Sequence, residues 1–274
     1  MFKLAIVVAP PEAVFKAVAR TPLEEAVKVI AENGFNGVEV SLIDPKSYTP
    51  SKLSKIVSDY GLEIPAFSTG LNYLHLGYSL ISLDPYLREA AVSRLREFID
   101  LAQFFGAGVV IGLMRGRIAK GQSREDAYKL LVDNLRRVCK YAEANEVPIF
   151  FEPLNRYETN IINTVDEGLK LVEDVGSPAL KLLLDTFHMN IEEASIERSI
   201  KKAAGKIGHF HLADSNRLAP GMGHIDFRSV LEALRETGYS GYLSVEVMIK
   251  PSLEKVLKTT VSTLKPVLIT NIPV

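Results

Sequence analysis

Four side chains able to ligate a metal stand at the ends of apolar runs in the second half of the chain. Glu152 follows Ile-Phe-Phe, Asp185 follows Leu-Leu-Leu, His211 lies in IGHFHLAD, and Glu246 is set between two valines. A charge among such neighbours is costly unless it is paired or bound to a cation. Three carboxylates and an imidazole converging without a cation would repel one another and raise the carboxyl pKa values. A divalent ion removes that conflict. Oxygen-dominated ligands with a single nitrogen favour Mn²⁺, Mg²⁺ or Co²⁺ over a thiolate-type zinc site. Taken singly, an acid at the end of a strand is more often a cap or an ion-pair partner, and Asp185 could cap the turn after it. Four on consecutive runs point to a site.

A second group follows just behind: Glu158 in NRYETN, His188 in DTFHMN and Arg217 in DSNR. Each is placed in a loop after a proposed ligand, where it could hydrogen-bond a hydroxyl or carbonyl of a bound substrate. His209 shares a face with His211, two residues deeper, and reads as a hydrogen-bonded core histidine. His75 and His224 read as solvated loop residues.

For these groups to meet, their runs must be neighbouring strands. Eight short runs rich in Val, Ile, Leu and Phe occupy 4–9, 37–41, 65–69, 108–113, 149–154, 180–185, 207–214 and 242–247. Continuous apolar runs of this kind suit parallel strands covered on both faces. Within them, period-two alternation puts Phe150 with Glu152, Leu183 with Asp185, and Ser244 with Glu246. Helical patterns between the runs start at Thr21-Pro22, Asp84-Pro85, Ser123 with Asp126, Thr164 with Glu167, and Asp226. Gly34, Gly61, Gly106, Gly176 and Gly238 sit where helices should stop. The longest helix, over about 85–105, follows a loop (70–83) that could cover a cleft. No G-x-G-x-x-G turn follows the first run, which disfavours a doubly wound dinucleotide-binding sheet. Eight strand–helix units in order predict one α/β domain over residues 1–274, a (β/α)₈ TIM barrel. Functional groups in such a barrel project from the C-terminal strand ends, and all four proposed ligands fall there, on the last four strands.

Composition narrows the function classes. With 32 basic and 33 acidic residues the net charge is −1, which lacks the basic footprint of a nucleic-acid binder. No run approaches the about 20 apolar residues of a membrane span, and MFKLAIVVAPP is too short an apolar run for a signal peptide. A cytoplasmic location is the expectation. The single cysteine, Cys139, rules out a disulfide within the chain and reads as a buried small hydrophobe.

EPLNRYET, LDTFHMNIEE, HFHLADSNR and the terminal VEV resemble the xylose-isomerase-like TIM-barrel sugar isomerases and epimerases, in particular the ketose 3-epimerase (D-tagatose/D-psicose 3-epimerase) group. The resemblance spans essentially the whole chain. It implies that Glu152, Asp185, His211 and Glu246 bind one divalent ion, Mn²⁺ foremost, and that Glu152 and Glu246 also transfer protons. Glu158, His188 and Arg217 match the substrate-contacting set. The implied reaction polarises a ketone and its neighbouring hydroxyl through the ion. One carboxylate then removes the C3 proton to leave a cis-enediolate, and the other returns a proton to the opposite face. The implied partners are a small keto sugar or sugar acid and further copies of the chain, as a dimer or tetramer.

The chain departs from the neutral-ketohexose pattern at one place. Those epimerases carry a pocket tryptophan near the end of strand four; here there is no Trp, and GLMRGR supplies Arg115 and Arg117. With DSNRLAPG, that segment is most similar to the branch converting 5-keto-L-gluconate to D-tagaturonate, whose substrate carries a carboxylate. Arg115 could bind that carboxylate bidentately; equally, Arg115 and Arg117 could be solvated or pair with Glu125 or Asp126. Aldose–ketose or hydroxypyruvate isomerases and keto-polyol dehydratases would use the same first proton abstraction. A multi-zinc endonuclease on this barrel is disfavoured by only five histidines and by the charge balance. A non-catalytic sugar-binding barrel has no need of paired proton-transfer groups.

Overall fold

Apolar runs form strands here because helices cover them on the outside while their alternate residues fill a closed interior. The computed structural model describes residues 2–269. The chain opens with β1 (Lys3–Ala9), β2 (Ala19–Arg20), α1 (Leu23–Glu32), β3 (Gly37–Ser41), α2 (Pro50–Ser58) and β4 (Ala66–Ser68). It continues through α3 (Gly70–Leu76), α4 (Pro85–Phe105), β5 (Gly108–Ile111), α5 (Arg124–Ala144), β6 (Ile149–Phe151) and α6 (Val165–Val175). It ends with β7 (Leu180–Asp185), α7 (Thr186–Glu192), α8 (Ile196–Lys202), β8 (Ile207–Leu212), α9 (Phe227–Glu236), β9 (Tyr242–Val245) and α10 (Leu253–Ile269).

Every strand pairing is parallel, and the order runs β1-β3-β4-β5-β6-β7-β8-β9. Pairing of β9 back onto β1, with Ile6 opposite Val245, closes the eight-stranded barrel. The two-residue β2 is an addition at the rim of β1. The expected (β/α)₈ architecture is therefore the observed one. Among the described residues no helix is long and apolar enough to cross a membrane.

Local chemistry explains most helix starts. Asp84 accepts from the Tyr86 N–H ahead of Pro85, Ser123 caps Asp126, and Thr164 with Glu167 forms a capping box. Asp226 accepts from Arg228 and Ser229. Thr21 does not act as a cap: α1 starts at Leu23 with no side-chain cap, and the Thr21 N–H donates to Ala9 O as part of the β1–β2 rim. The 70–83 segment is also not wholly loop. It contains α3, whose start the sequence hides because the Thr69 hydroxyl is turned to Val110 O instead of capping it.

The barrel interior is layered. Ala66, Val110, Phe150 and Leu183 form an apolar plug. Phe150 spreads into space left by glycine on both sides: a Cβ at Gly108 would lie 2.1 Å from its ring, and one at Gly208 would lie 2.7 Å away. Two residues further along, the alternation brings Glu152 and Asp185 above that plug, toward the C-terminal rim.

Candidate active site

Strand ends place the four proposed ligands side by side. Asp185 is the last residue of β7 and His211 lies in β8, while Glu152 and Glu246 come one residue after β6 and β9. The Glu152 N–H still donates to Ile111 O and that of Glu246 to Leu212 O, so both side chains are aimed by the barrel ladder. A Cβ at position 112 would come within 2.8 Å of Glu152 Oε2, so Gly112 makes the room this carboxylate occupies. One donor atom from each of Glu152, Asp185, His211 and Glu246 lies within 4.8 Å of every other. All four side chains are buried.

His211 Nδ1 is the apex of this group. It stands 3.7 Å from Glu152 Oε1, 3.8 Å from Glu246 Oε2 and 4.0 Å from Asp185 Oδ2. Among the described residues neither His211 Nδ1 nor Glu152 Oε1 has a hydrogen-bond partner, though both are buried. Two unpartnered polar atoms facing one spot among carboxylates fit a cation ligand set, and the donor types suit a hard divalent ion. These four residues form a candidate metal site.

The surrounding groups divide the excess negative charge. The Arg217 guanidinium donates through Nη1 to Asp185 Oδ2 at 2.7 Å and through Nη2 to Glu246 Oε2, with its plane over the Phe187 ring. Asp185 also caps α7, accepting from the Phe187 N–H at 2.7 Å through Oδ1, which leaves Oδ2 on the side of the cluster. Despite burial, Asp185 is held below its ordinary pKa by Arg217, His188 and His211. Burial, followed by repulsion from Glu246, raises Glu152 well above the ordinary carboxylate value. Burial lifts Glu246 to about 7 against the pull of Arg217. For His211, burial opposes the charge, yet Glu39 and the facing carboxylates raise it to about 10.

His188 belongs to the first turn of α7 and not to a loop. Its Nδ1 accepts from the Asn155 backbone N–H at 3.3 Å and faces the Asn155 side-chain nitrogen at 2.7 Å, leaving Nε2–H toward Glu152 and Asp185. Burial holds His188 neutral, with a pKa pushed down to about 3. Glu158 sits in a turn with Oε1 on the Asn155 amide, and burial raises its pKa. Asn155 thus aligns two of the expected substrate contacts and was not itself expected. Glu158, His188 and Arg217 all line one cleft with Glu152 and Glu246.

Arg115 does not reach that cleft. Its side chain is buried, lies over the Phe151 ring, and donates to Gly112 O and Ile162 O, both at 2.9 Å. It is neither solvated nor paired with Glu125 or Asp126. Arg117 is exposed and donates to Tyr157 O. His209 is a buried core histidine as expected, but its acceptor, Glu39, was overlooked. The clue was present: GVEVS sets an acid between two valines in an apolar run, as SVEVM does for Glu246. His75 lies in α3, where Nε2 accepts from the Val14 N–H, and so is not a free loop residue; His224 lies outside regular secondary structure and is exposed.

A closed parallel barrel bearing a carboxylate–imidazole cluster at its C-terminal rim is the layout of a barrel enzyme. The sequence pattern described as "Xylose isomerase-like TIM barrel" matches residues 27–267, and the chain belongs to that family. It is 36% identical over 231 residues to L-ribulose 3-epimerase of Mesorhizobium japonicum, covering 83% of this chain and 76% of that one. To D-psicose 3-epimerase of Ruminiclostridium cellulolyticum it is 30% identical over 234 residues, covering 82% and 78%. A solved structure of L-ribulose 3-epimerase superposes with a TM-score of 0.84 at 30% identity, over 98% of this chain and 95% of that one. The chain is an enzyme of the isomerase class, of the epimerase type.

Metal uptake should release protons. With His211 raised to about 10 and Glu246 to about 7, both carry protons near neutrality that a bound ion must displace, so affinity should rise with pH through this range. Calorimetric Mn²⁺ titrations at pH 7 in buffers of different ionisation enthalpy are expected to show about one or more protons released per ion. Heats independent of the buffer would contradict this.

Proposed function

We propose that the chain is a divalent-metal-dependent epimerase that inverts C3, the carbon beside the ketone, of a ketose. The observation that carries this reading is the pair of buried carboxyls, Glu152 and Glu246, placed on either side of Asp185 and His211. Inversion needs one group to take a proton from one face of a planar intermediate and another to supply one to the opposite face. Glu152 and Glu246 leave the barrel from β6 and β9, the outer two of four consecutive strands.

Glu152, Asp185, His211 and Glu246 would hold the ion, which supplies Lewis-acid polarisation of the ketone and its neighbouring hydroxyl. The protein's own groups do the rest. Glu152 or Glu246, ionised, accepts the C3 proton, while its counterpart, protonated, delivers one. Arg217 and the Nε2–H of His188 donate to the oxygens that gain charge as an enediolate forms. Glu158, fixed by Asn155, is placed to accept from a hydroxyl further along the sugar.

The cleft favours a neutral substrate. Its outer wall is Phe15, Val18, Leu71, Leu74, Leu113 and Leu154, and the Arg115 guanidinium is not part of that lining: Nε and Nη1 donate to backbone carbonyls, while Nη2 has no partner among the described residues. We therefore place a neutral ketopentose or ketohexose, as in the names of its L-ribulose and D-psicose epimerase relatives, ahead of 5-keto-L-gluconate. One feature favours the keto-hexonate: a groove bordered by Lys16, Arg20 and Lys250 meets the cleft at Val18, and those cations have no ion-pair partner among the described residues.

Two measurements follow. Glu152→Gln and Glu246→Gln should each keep the fold and cut solvent exchange of the substrate C3 proton by about 10²–10⁴-fold, read by NMR in D₂O. Undiminished exchange in either would remove that residue's role. L-Ribulose and D-psicose should exceed 5-keto-L-gluconate in kcat/KM by about tenfold or more, the order of one hydrogen-bonded or desolvated group. The reverse order, lost in Lys16→Ala/Arg20→Ala, would establish the acid as substrate.

A further inference from the structure

Glu39 lies on β3, opposite β7 in the closed barrel and two strands from β9, and it is fully buried. Three donors converge on its carboxylate. Oε2 is 2.9 Å from His209 Nε2 and 3.0 Å from His211 Nε2, while Oε1 accepts from the Ser68 hydroxyl. His211 is thus held at one nitrogen by Glu39 and presents the other, unpartnered, to Glu152, Asp185 and Glu246.

We infer that Glu39 is a positioning residue for the metal site: it takes the Nε2–H of His211 and so commits Nδ1 to the ion. The inference rests on the metal-dependent reading above. A neutral imidazole carries one hydrogen on either nitrogen, and only the bare nitrogen can ligate. His211 has carboxylates on both sides, so those around the site do not select the tautomer. Glu39 does, because an ionised carboxylate only accepts and its contact with Nε2 requires the hydrogen there. Such outer carboxylates fix the ring plane and raise the basicity of the ligating nitrogen.

Glu39 is itself prevented from turning away. Ser68 holds Oε1, and His209 holds Oε2 from a ring stacked on Phe150 at 5.3 Å and 15°. Phe150 in turn fills the room left by Gly108 and Gly208. Packing at the base of the barrel is therefore transmitted through Phe150, His209 and Glu39 to the orientation of His211.

Glu39, His209 and His211 also lie close enough together to hold an ion of their own. Direct N–H···O pairing at 2.9–3.2 Å already accounts for their geometry, so one ion per chain is expected.

The test is Mn²⁺ binding, followed by the EPR signal of the free ion, in wild-type protein, Glu39→Gln and Glu246→Gln. Glu39→Gln should weaken binding by about 10- to 100-fold while its kcat at saturating Mn²⁺ returns close to wild type. A folded Glu39→Gln with unchanged Mn²⁺ affinity, or two ions per wild-type chain, would overturn the inference. Should that variant not fold, the wild-type protein decides: ¹⁵N-histidine NMR with Mg²⁺ bound is expected to show His211 protonated at Nε2, and protonation at Nδ1 overturns it. Wild-type protein whose Mn²⁺ binding is absent, or unaffected by Glu246→Gln, would instead sink the metal-dependent reading itself.

Discussion

Buried negative charge beneath the barrel's open rim is the constraint to which the neighbouring residues answer. Glu39, Glu152, Asp185 and Glu246 are all buried there, and Arg217 is the guanidinium that bridges two of them. Removing a carboxylate from water costs several kcal/mol even after relaxation, so each must be compensated. The compensation differs from one to the next. Asp185 receives Arg217 and a backbone N–H, Glu39 receives three donors, and Glu246 shares Arg217, yet burial still raises its pKa to about 7. Glu152 has an oxygen with nothing to accept from. A divalent ion would complete this arrangement where Glu152 Oε1 and His211 Nδ1 lack partners among the described residues.

The barrel makes such a cluster tolerable by confining it to one layer. Below it the interior is an apolar plug with glycines admitting the Phe150 ring; above it the cleft opens between an acidic floor and an apolar outer wall. Burial in this layer raises the pKa of both Glu152 and Glu246.

Much of this was legible in the sequence because strand-end position and period-two alternation are local properties. Glu152, Asp185 and Glu246 betray themselves by interrupting apolar runs, and His211 by its place one strand over. Glu39 interrupts a run in the same way, but the partners that explain it are 170 and 172 residues away, and no local pattern ties them together. Arg115 shows the opposite difficulty. Its position after β5 was clear, yet its direction depends on a 3₁₀ turn, Leu113–Arg115, and on a Phe151 face for its guanidinium, neither of which spacing reveals. The helix Gly70–Leu76 was hidden because it is short and begins without a side-chain cap. Positions were readable; side-chain directions set by distant packing were not.

Anomalous diffraction from a crystal equilibrated with Mn²⁺ tests the central claim most directly. The account predicts a single peak about 2.0–2.3 Å from His211 Nδ1 and from oxygens of Glu152, Asp185 and Glu246. A peak on the Nε2 side of that ring, or a site still spanned only by Arg217 at saturating Mn²⁺, would contradict it.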